Sequence, residues 1–309
     1  MDTLEKNKEQ PIIILGYGRS GTTWVSDIVS KTLGGLLLFE PFHPAVWDHS
    51  SALSYSWQWN PAFSEQIELT LQKGNKNPWL IRNHLAKNPQ SLSVSYIQMI
   101  WDNTQILGFK AIRCNHIIPH LHNSISEKIV FLIRHPLAVL ASILNRPQFF
   151  EEFGWDNHLK MFEENVLTHP MLSPKTRQKF QKTKTKNEKV LAMWAISNVI
   201  AISDTLQLGT KIMYYEDLYK NPFAETRSLL EYLQIKRSIH PSYIFTPSML
   251  TLKTAHNMNS EDALFYTEGN RVFWKDQINL DEEIKMLAFV QDFILDYPKV
   301  VKRLNRYFS

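Results

Sequence analysis

The nine residues from Gly16 to Trp24, reading GYGRSGTTW, constrain this chain more than any others. They follow a short apolar run, Pro11–Leu15, and open a stretch of helical periodicity, Thr22–Leu33. A loop between a strand and a helix points its backbone N–H groups and the helix N-terminus at one spot. Unsatisfied amides and the helix dipole then act together on an anion. The glycines allow close backbone approach, and Thr22 and Thr23 add hydroxyl donors. The nucleotide-triphosphatase loop, G-x-x-x-x-G-K-S/T, needs a lysine at position 22, where this chain has Thr22. The cation here is Arg19, inside the loop, and a donor of the ATP–magnesium type is disfavoured.

The rest of the chain alternates strands with helices. Apolar, β-branched runs fall at Pro11–Leu15, Leu36–Phe39, Ile106–Ile112, Lys128–Ile133 and Lys211–Tyr215. Helical spacing appears at Thr22–Leu33, Ser91–Trp101, Leu137–Leu144, Val190–Leu208, Phe223–Leu233 and Glu282–Tyr297. Asn221 and Pro222 offer an N-cap followed by proline at the first helical position, and Gly209 closes the preceding helix. Short buried strands separated by helices predict a parallel sheet covered on both faces. Residues 1–10 read as a frayed polar tail and 11–309 as one domain, with the polar stretch 148–189 an insertion or lid. Within it, the basic run Lys175–Lys189 reads as a solvated loop or as the rim of a lid.

A second anion signal lies at Lys128–Ser142, a buried strand running into Arg134-His135-Pro136 and then a helix that carries Ser142. Arg134 at the strand end and Ser142 two turns into the helix can reach one phosphate, and arginine offers it a planar fork. The two segments resemble the 5′-phosphosulfate loop and the 3′-phosphate signature of the sulfotransferases that use 3′-phosphoadenosine-5′-phosphosulfate (PAPS). The resemblance leans to the bacterial and carbohydrate-type branch rather than the cytosolic aryl and steroid branch. It implies a three-layer α/β fold of the P-loop type. It also implies that Arg19, Ser20, Gly21, Thr22 and Thr23 hold the 5′-phosphosulfate, Trp24 flanks the adenine, and Arg134 and Ser142 hold the 3′-phosphate. Met213–Pro222, containing Tyr215-Glu216-Asp217-Leu218, is similar to a further family segment that places Tyr215 near the adenine. The bottom-up alternative is a strand end whose Glu216 and Asp217 bond a loop. Glu268–Lys275 is similar to the family's closing loop, with Arg271 as the 3′-phosphate contact and Trp274 in the core.

Sulfuryl transfer is an in-line displacement that rests on positioning and on cations where charge develops. The sulfuryl group carries less charge than a phosphoryl dianion, so no metal is required. Arg19 and Lys110 are the candidate cations. The family's cytosolic branch has a histidine two residues after this lysine, where the chain has Ile112. The candidate bases are instead Glu40, in the Leu38–Pro44 segment after the second strand, and His43. His116, His120 and His122 match no zinc spacing and read as a surface loop. Trp47, Tyr55, Trp57, Trp59 and Phe63 either wall an acceptor pocket or anchor loops.

Composition bounds the rest. The net charge is +4, too small for a nucleic-acid binder but suited to a pocket for a small polyanion. The single cysteine, Cys114, excludes an intrachain disulfide and fits a reducing, cytoplasmic location. No uninterrupted apolar run reaches about 18 residues, so neither a transmembrane segment nor a signal peptide is expected. The leading reading is transfer of a sulfuryl group from PAPS to a hydroxyl or amine of a small-molecule, carbohydrate or lipid acceptor. The alternatives are a P-loop small-molecule kinase using ATP–magnesium and a non-catalytic protein that binds the desulfated donor, 3′-phosphoadenosine-5′-phosphate (PAP).

Overall fold

The computed structural model describes residues 10–43, 55–59, 61–72, 80–81, 93–144, 155–245 and 278–308. Five strands, β1 (Ile12–Gly16), β2 (Leu36–Phe39), β3 (Ile106–Ala111), β4 (Ile129–Ile133) and β5 (Lys211–Tyr214), form one sheet in the order β2-β3-β1-β4-β5. Every pairing is parallel. The expected strands hold to within a residue at each end. In β3, Gly108 lies against β1 so closely that an added Cβ would sit 1.9 Å from the Ile12 carbonyl oxygen.

Because side chains alternate across a strand, β1 feeds two cores. Ile13 and Leu15 face a large cluster containing Phe109, Phe131, Trp194 and Phe293. Ile12 and Ile14 face a smaller one built with Val25, Val29, Leu218, Leu229 and Leu233. The smaller side is covered by α1 (Thr22–Leu33), the short helix Tyr215–Lys220 and the helix Pro222–Tyr232. The larger side is covered chiefly by Ile118–Ser124, Pro136–Leu144, the long helix Lys186–Leu208 and Leu280–Ile294. Sheet and two helical layers make the α/β architecture expected of a P-loop-like domain.

The long helix Lys186–Leu208 has the length and mean hydropathy of a membrane span, but 83% of its apolar window is buried inside the protein. Ser197, Asn198 and Asp204 lie within it, and it is the central core helix of the larger layer. It begins four residues before the apolar periodicity does, because Thr185 and Glu188 form a reciprocal capping box. Gly209 ends it in the left-handed conformation, as expected.

Several local expectations change. The basic run is not a loop: Pro174–Gln181 is a helix capped by Ser173, with Thr176 and Phe180 buried, and the run's end is the first turn of the long helix. Asn221 precedes Pro222 at the helix start, but its side chain makes no capping bond. The helix predicted at 91–101 is Val94–Asn103, capped by Ser93. The stretch predicted to be one helix at 282–297 ends at Ile294, and Pro298 opens a second helix, Pro298–Leu304, followed by a 3₁₀ turn, Asn305–Tyr307. Helices Trp155–Asn165 and Pro174–Gln181 place Phe162 and Phe180 in the larger core.

Candidate active site

Ligands of open parallel sheets sit beyond the carboxyl ends of the strands, where successive crossovers diverge. Every strand delivers a singled-out residue to that edge. Arg19 follows β1, Glu40 follows β2, Lys110 is the penultimate residue of β3, Arg134 follows β4 and Tyr215 follows β5.

The loop after β1 is shaped for close approach. Gly21 sits at the N-cap of α1 with φ 92°, and a Cβ there would meet the Tyr215 ring at 2.5 Å. Only glycine fits both the conformation and the ring. With no side chain to cap α1, the Thr22 and Thr23 N–H groups at its start are available to an anion, while the Trp24 N–H donates to the Gly21 carbonyl at 3.0 Å. Arg19 takes φ 71° and Glu40 φ 45°, both unusual for residues with a side chain. Strain of this kind gathers at functional sites, and here it sets the two charged groups at the sheet edge.

The two anion motifs meet. Arg19 Nε donates to Ser142 Oγ at 3.0 Å, across 123 residues of sequence. Arg134 Nη1 donates to the Arg19 carbonyl at 3.1 Å. The Arg134 guanidinium lies over the Tyr215 ring at 4.3 Å, and Tyr215 meets Trp24 edge-on at 5.7 Å. Trp24 is fixed from its far side by a bond from its indole N–H to the Ile244 carbonyl, 3.0 Å. Arginine, tyrosine and tryptophan thus form one continuous wall beside the loop. Tyr215 starts a helix rather than ending the strand. Glu216 accepts the His135 N–H and Asp217 pairs with Arg306, so this segment both lines the site and bonds a loop.

The fit to a phosphorylated ligand can be tested on donors the protein leaves idle. Ser20 Oγ and Arg134 Nε are buried without a hydrogen-bond partner among the described residues. Such groups are costly unless something answers them. Phosphate oxygens would answer both.

On the other side of the loop lies a buried ion cluster. Lys110 Nζ reaches Glu40 Oε1 at 2.6 Å and Arg113 Nη1 reaches Glu40 Oε2 at 2.8 Å. Lys110 also sits over the Phe39 ring, 3.8 Å from its centre. Burial would raise the Glu40 carboxyl, but Lys110 and Arg113 outweigh it and bring it down to about 2. Asp27, on α1, is pushed up to about 7 by burial, with Lys31 and Lys110 pulling against the rise. His43 is buried beside this cluster, its N–H donating to the Glu40 carbonyl at 2.9 Å.

The cluster continues through Arg113. The Tyr55 N–H donates to the Arg113 carbonyl at 2.9 Å, and Tyr55 stacks on His116 at 6.0 Å. The Tyr55 hydroxyl and His158 Nδ1 lie 3.4 Å apart. Burial draws His116 down to about 3 and His158 to about 4. This corrects the surface-loop reading of the histidines: His116 is inside, and His120 and His122 stand on the helix Ile118–Ser124. His120 stacks on Trp59 at 5.5 Å. No group of three potential metal ligands gathers among the described residues. Tyr55 and Phe63 are core residues, and Trp57 anchors to Thr168 through its indole N–H at 2.9 Å. Trp47, Arg271 and Trp274 lie outside the described residues.

Sequence reasoning missed Arg113, Asp27, Tyr55 in this role and His158. Arg113 carried a signal, since it follows Lys110 just past the end of β3. The others carried none, because a helix face and distant segments bring them in.

A parallel sheet with a glycine-rich anion loop after its central strand and cations at the neighbouring strand ends defines an α/β domain of the P-loop-like kind. The sequence model of the sulfotransferase domain matches residues 9–294, and the chain belongs to that family of transferases. Among solved structures, the sulfotransferase domain from the Synechococcus PCC 7002 olefin synthase is similar, with TM-score 0.44 and 16% identity, over 96% of this chain and 100% of that one. No curated protein matches.

Proposed function

We propose that this sulfotransferase takes its sulfuryl group from PAPS and passes it to a hydroxyl or amine of a small-molecule, carbohydrate or lipid acceptor. The observation that carries the reading is the junction of the two anion motifs, Arg19 to Ser142 and Arg134 to the Arg19 carbonyl. A donor phosphorylated at both ends of an adenosine asks for two such sites joined by an aromatic wall.

PAPS, when bound, supplies a sulfuryl group attached to the 5′-phosphate as leaving group. In this reading the loop N–H groups with Ser20, Thr22 and Thr23 hold the 5′-phosphosulfate, and Gly21 lets it approach. Arg134 and Ser142 hold the 3′-phosphate, with Arg271 added by family resemblance. Trp24 and Tyr215 flank the adenine. Arg19 and Lys110 answer the charge that grows on the bridging oxygen as the bond to sulfur breaks.

Glu40 is the proposed proton acceptor, and its pairing sets a condition. A carboxylate held at about 2 by two cations is a weak base. Movement of Lys110 from Glu40 to the sulfuryl oxygens removes one cation and raises the basicity of the freed oxygen. The acceptor proton is then taken as the new bond to sulfur forms. His43, adjacent through its backbone, is the second group in line for the proton.

A thermal-shift titration of PAP against ATP with magnesium, on wild type and Arg134→Ala, tests the donor. PAP without metal is expected to raise Tm in the wild type, and the mutation is expected to remove most of that shift. A response to ATP–magnesium alone overturns the reading.

A further inference from the structure

Residues 303–307 lie beyond the part of the chain that the family model matches, yet they are tied to the proposed donor site. The connection starts at the turn after β4, where the His135 N–H donates to Glu216 Oε1 at 2.8 Å. The other carboxylate oxygen, Glu216 Oε2, accepts from the Tyr307 hydroxyl at 2.7 Å. Tyr307 meets the His135 ring edge-on at 5.1 Å and is itself buried, 6% exposed.

A second set of contacts runs in parallel. Arg306 pairs with both oxygens of Asp217, one bond at 2.7 Å, and its guanidinium covers the Tyr214 ring at 4.4 Å. The Tyr214 hydroxyl donates to the Arg303 carbonyl at 3.0 Å. The 3₁₀ turn therefore grips Tyr214, Glu216 and Asp217, and through Glu216 it reaches the residue after Arg134. Tyr215, between the gripped residues, is the ring beneath the Arg134 guanidinium.

We propose that Tyr307, supported by Arg306, is a positioning residue for the donor's 3′-phosphate, acting through Glu216 on the Arg134–His135 turn. The inference rests on the donor reading above. Arg134 must present its fork at a fixed angle to a phosphate, and a guanidinium on an unbraced turn loses that geometry. The brace is a carboxylate with one oxygen on a backbone N–H and the other on a buried phenol. Charged acceptors make such bonds stronger than neutral ones. The brace bonds the turn that carries Arg134 directly and meets the 5′-phosphate loop at second hand, through Arg134 on the Arg19 carbonyl and the Tyr215 ring against Gly21, so its effect falls chiefly on the 3′-phosphate.

The test compares PAP with adenosine 5′-monophosphate, which lacks the 3′-phosphate, by calorimetry on wild type, Tyr307→Phe, Glu216→Ala and the double variant. Tyr307→Phe keeps the ring and its packing and removes only the hydroxyl. PAP is expected to bind it about tenfold more weakly, with the monophosphate unchanged. Glu216→Ala breaks the link from its other end and is expected to lower PAP binding at least as much. The double variant is expected to equal Glu216→Ala alone, because both changes break one chain. A Tyr307→Phe protein with the wild-type PAP-to-monophosphate ratio overturns the inference. An equal loss of both nucleotides overturns it too, since that is the mark of a general structural role. A wild type that does not prefer PAP to the monophosphate overturns the donor reading itself.

Discussion

At Glu40 two cations close on one carboxylate, and its behaviour follows from them. Replacing it by glutamine leaves Lys110 and Arg113 buried without their counter-charge. Glu40→Gln is therefore expected to cost about 3–5 kcal/mol of stability, measured by urea unfolding near neutral pH. It is also expected to lower sulfuryl transfer at least about 100-fold in a single-turnover assay, beyond what the stability loss explains. The residue also sets an acid limit. Its folded value, about 2, lies below its ordinary 4.5. The stability it contributes is thus complete above pH 4.5 and is lost as pH falls toward 2. Glu40→Gln should flatten that part of the acid transition. The sequence marks Glu40 and Lys110 as charges at strand ends. Their mutual pairing, and the third partner Arg113, depend on how β2 and β3 lie side by side.

At the scale of single elements, the local code explains most boundaries. The long helix Lys186–Leu208 starts where Thr185 and Glu188 answer each other's N–H groups, and it stops at Gly209. Thr185→Ala is expected to cost about 1 kcal/mol in thermal unfolding, with donor binding unchanged, because the capping bonds run between Thr185 and Glu188 and use no residue of the proposed donor site. A larger loss in donor affinity than in stability would contradict that assignment. The basic stretch before this helix shows why charge alone misleads. Lysines at the surface of Pro174–Gln181 mask the buried Thr176 and Phe180, and Ser173 with Pro174 starts the helix that the charge pattern hides. Likewise the stretch 282–297 keeps helical spacing across Leu295 and Tyr297, while Pro298 imposes a new start.

For the whole molecule, buried titratable groups pull in two directions. His116, His158 and His169 are held at about 3, 4 and 4, chiefly by burial. Each favours the folded state fully above its ordinary 6.5 and loses that contribution as pH falls. Asp27 and Asp204 are raised to about 7 from 3.8, so their contribution is complete below 3.8 and is lost as pH rises through 7. Three histidines against two aspartates predict a modest fall in Tm from pH 6.5 to 4.5, then a steep one as Glu40 joins the histidines. Scanning calorimetry across pH 3–8 checks this; a Tm that rises on acidification from 6.5 to 4.5 would mean the histidines are less buried than described. Much of the architecture was legible beforehand. Apolar runs of strand length between helical periods specify a two-sided parallel sheet, because backbone groups and apolar faces leave few other ways to be satisfied. The glycine-rich turn between β1 and α1, and the placing of Arg134 at the end of β4 and Ser142 on the helix after it, were legible as well, since each is a local spacing within one βα unit. What the tertiary structure alone decided is how these units share charge and hydrogen bonds: Arg19 with Ser142, Glu40 with Lys110 and Arg113, and Tyr307 with Glu216. Those contacts join residues far apart in the chain, and no local spacing encodes a distance that only the packed sheet and its layers can set.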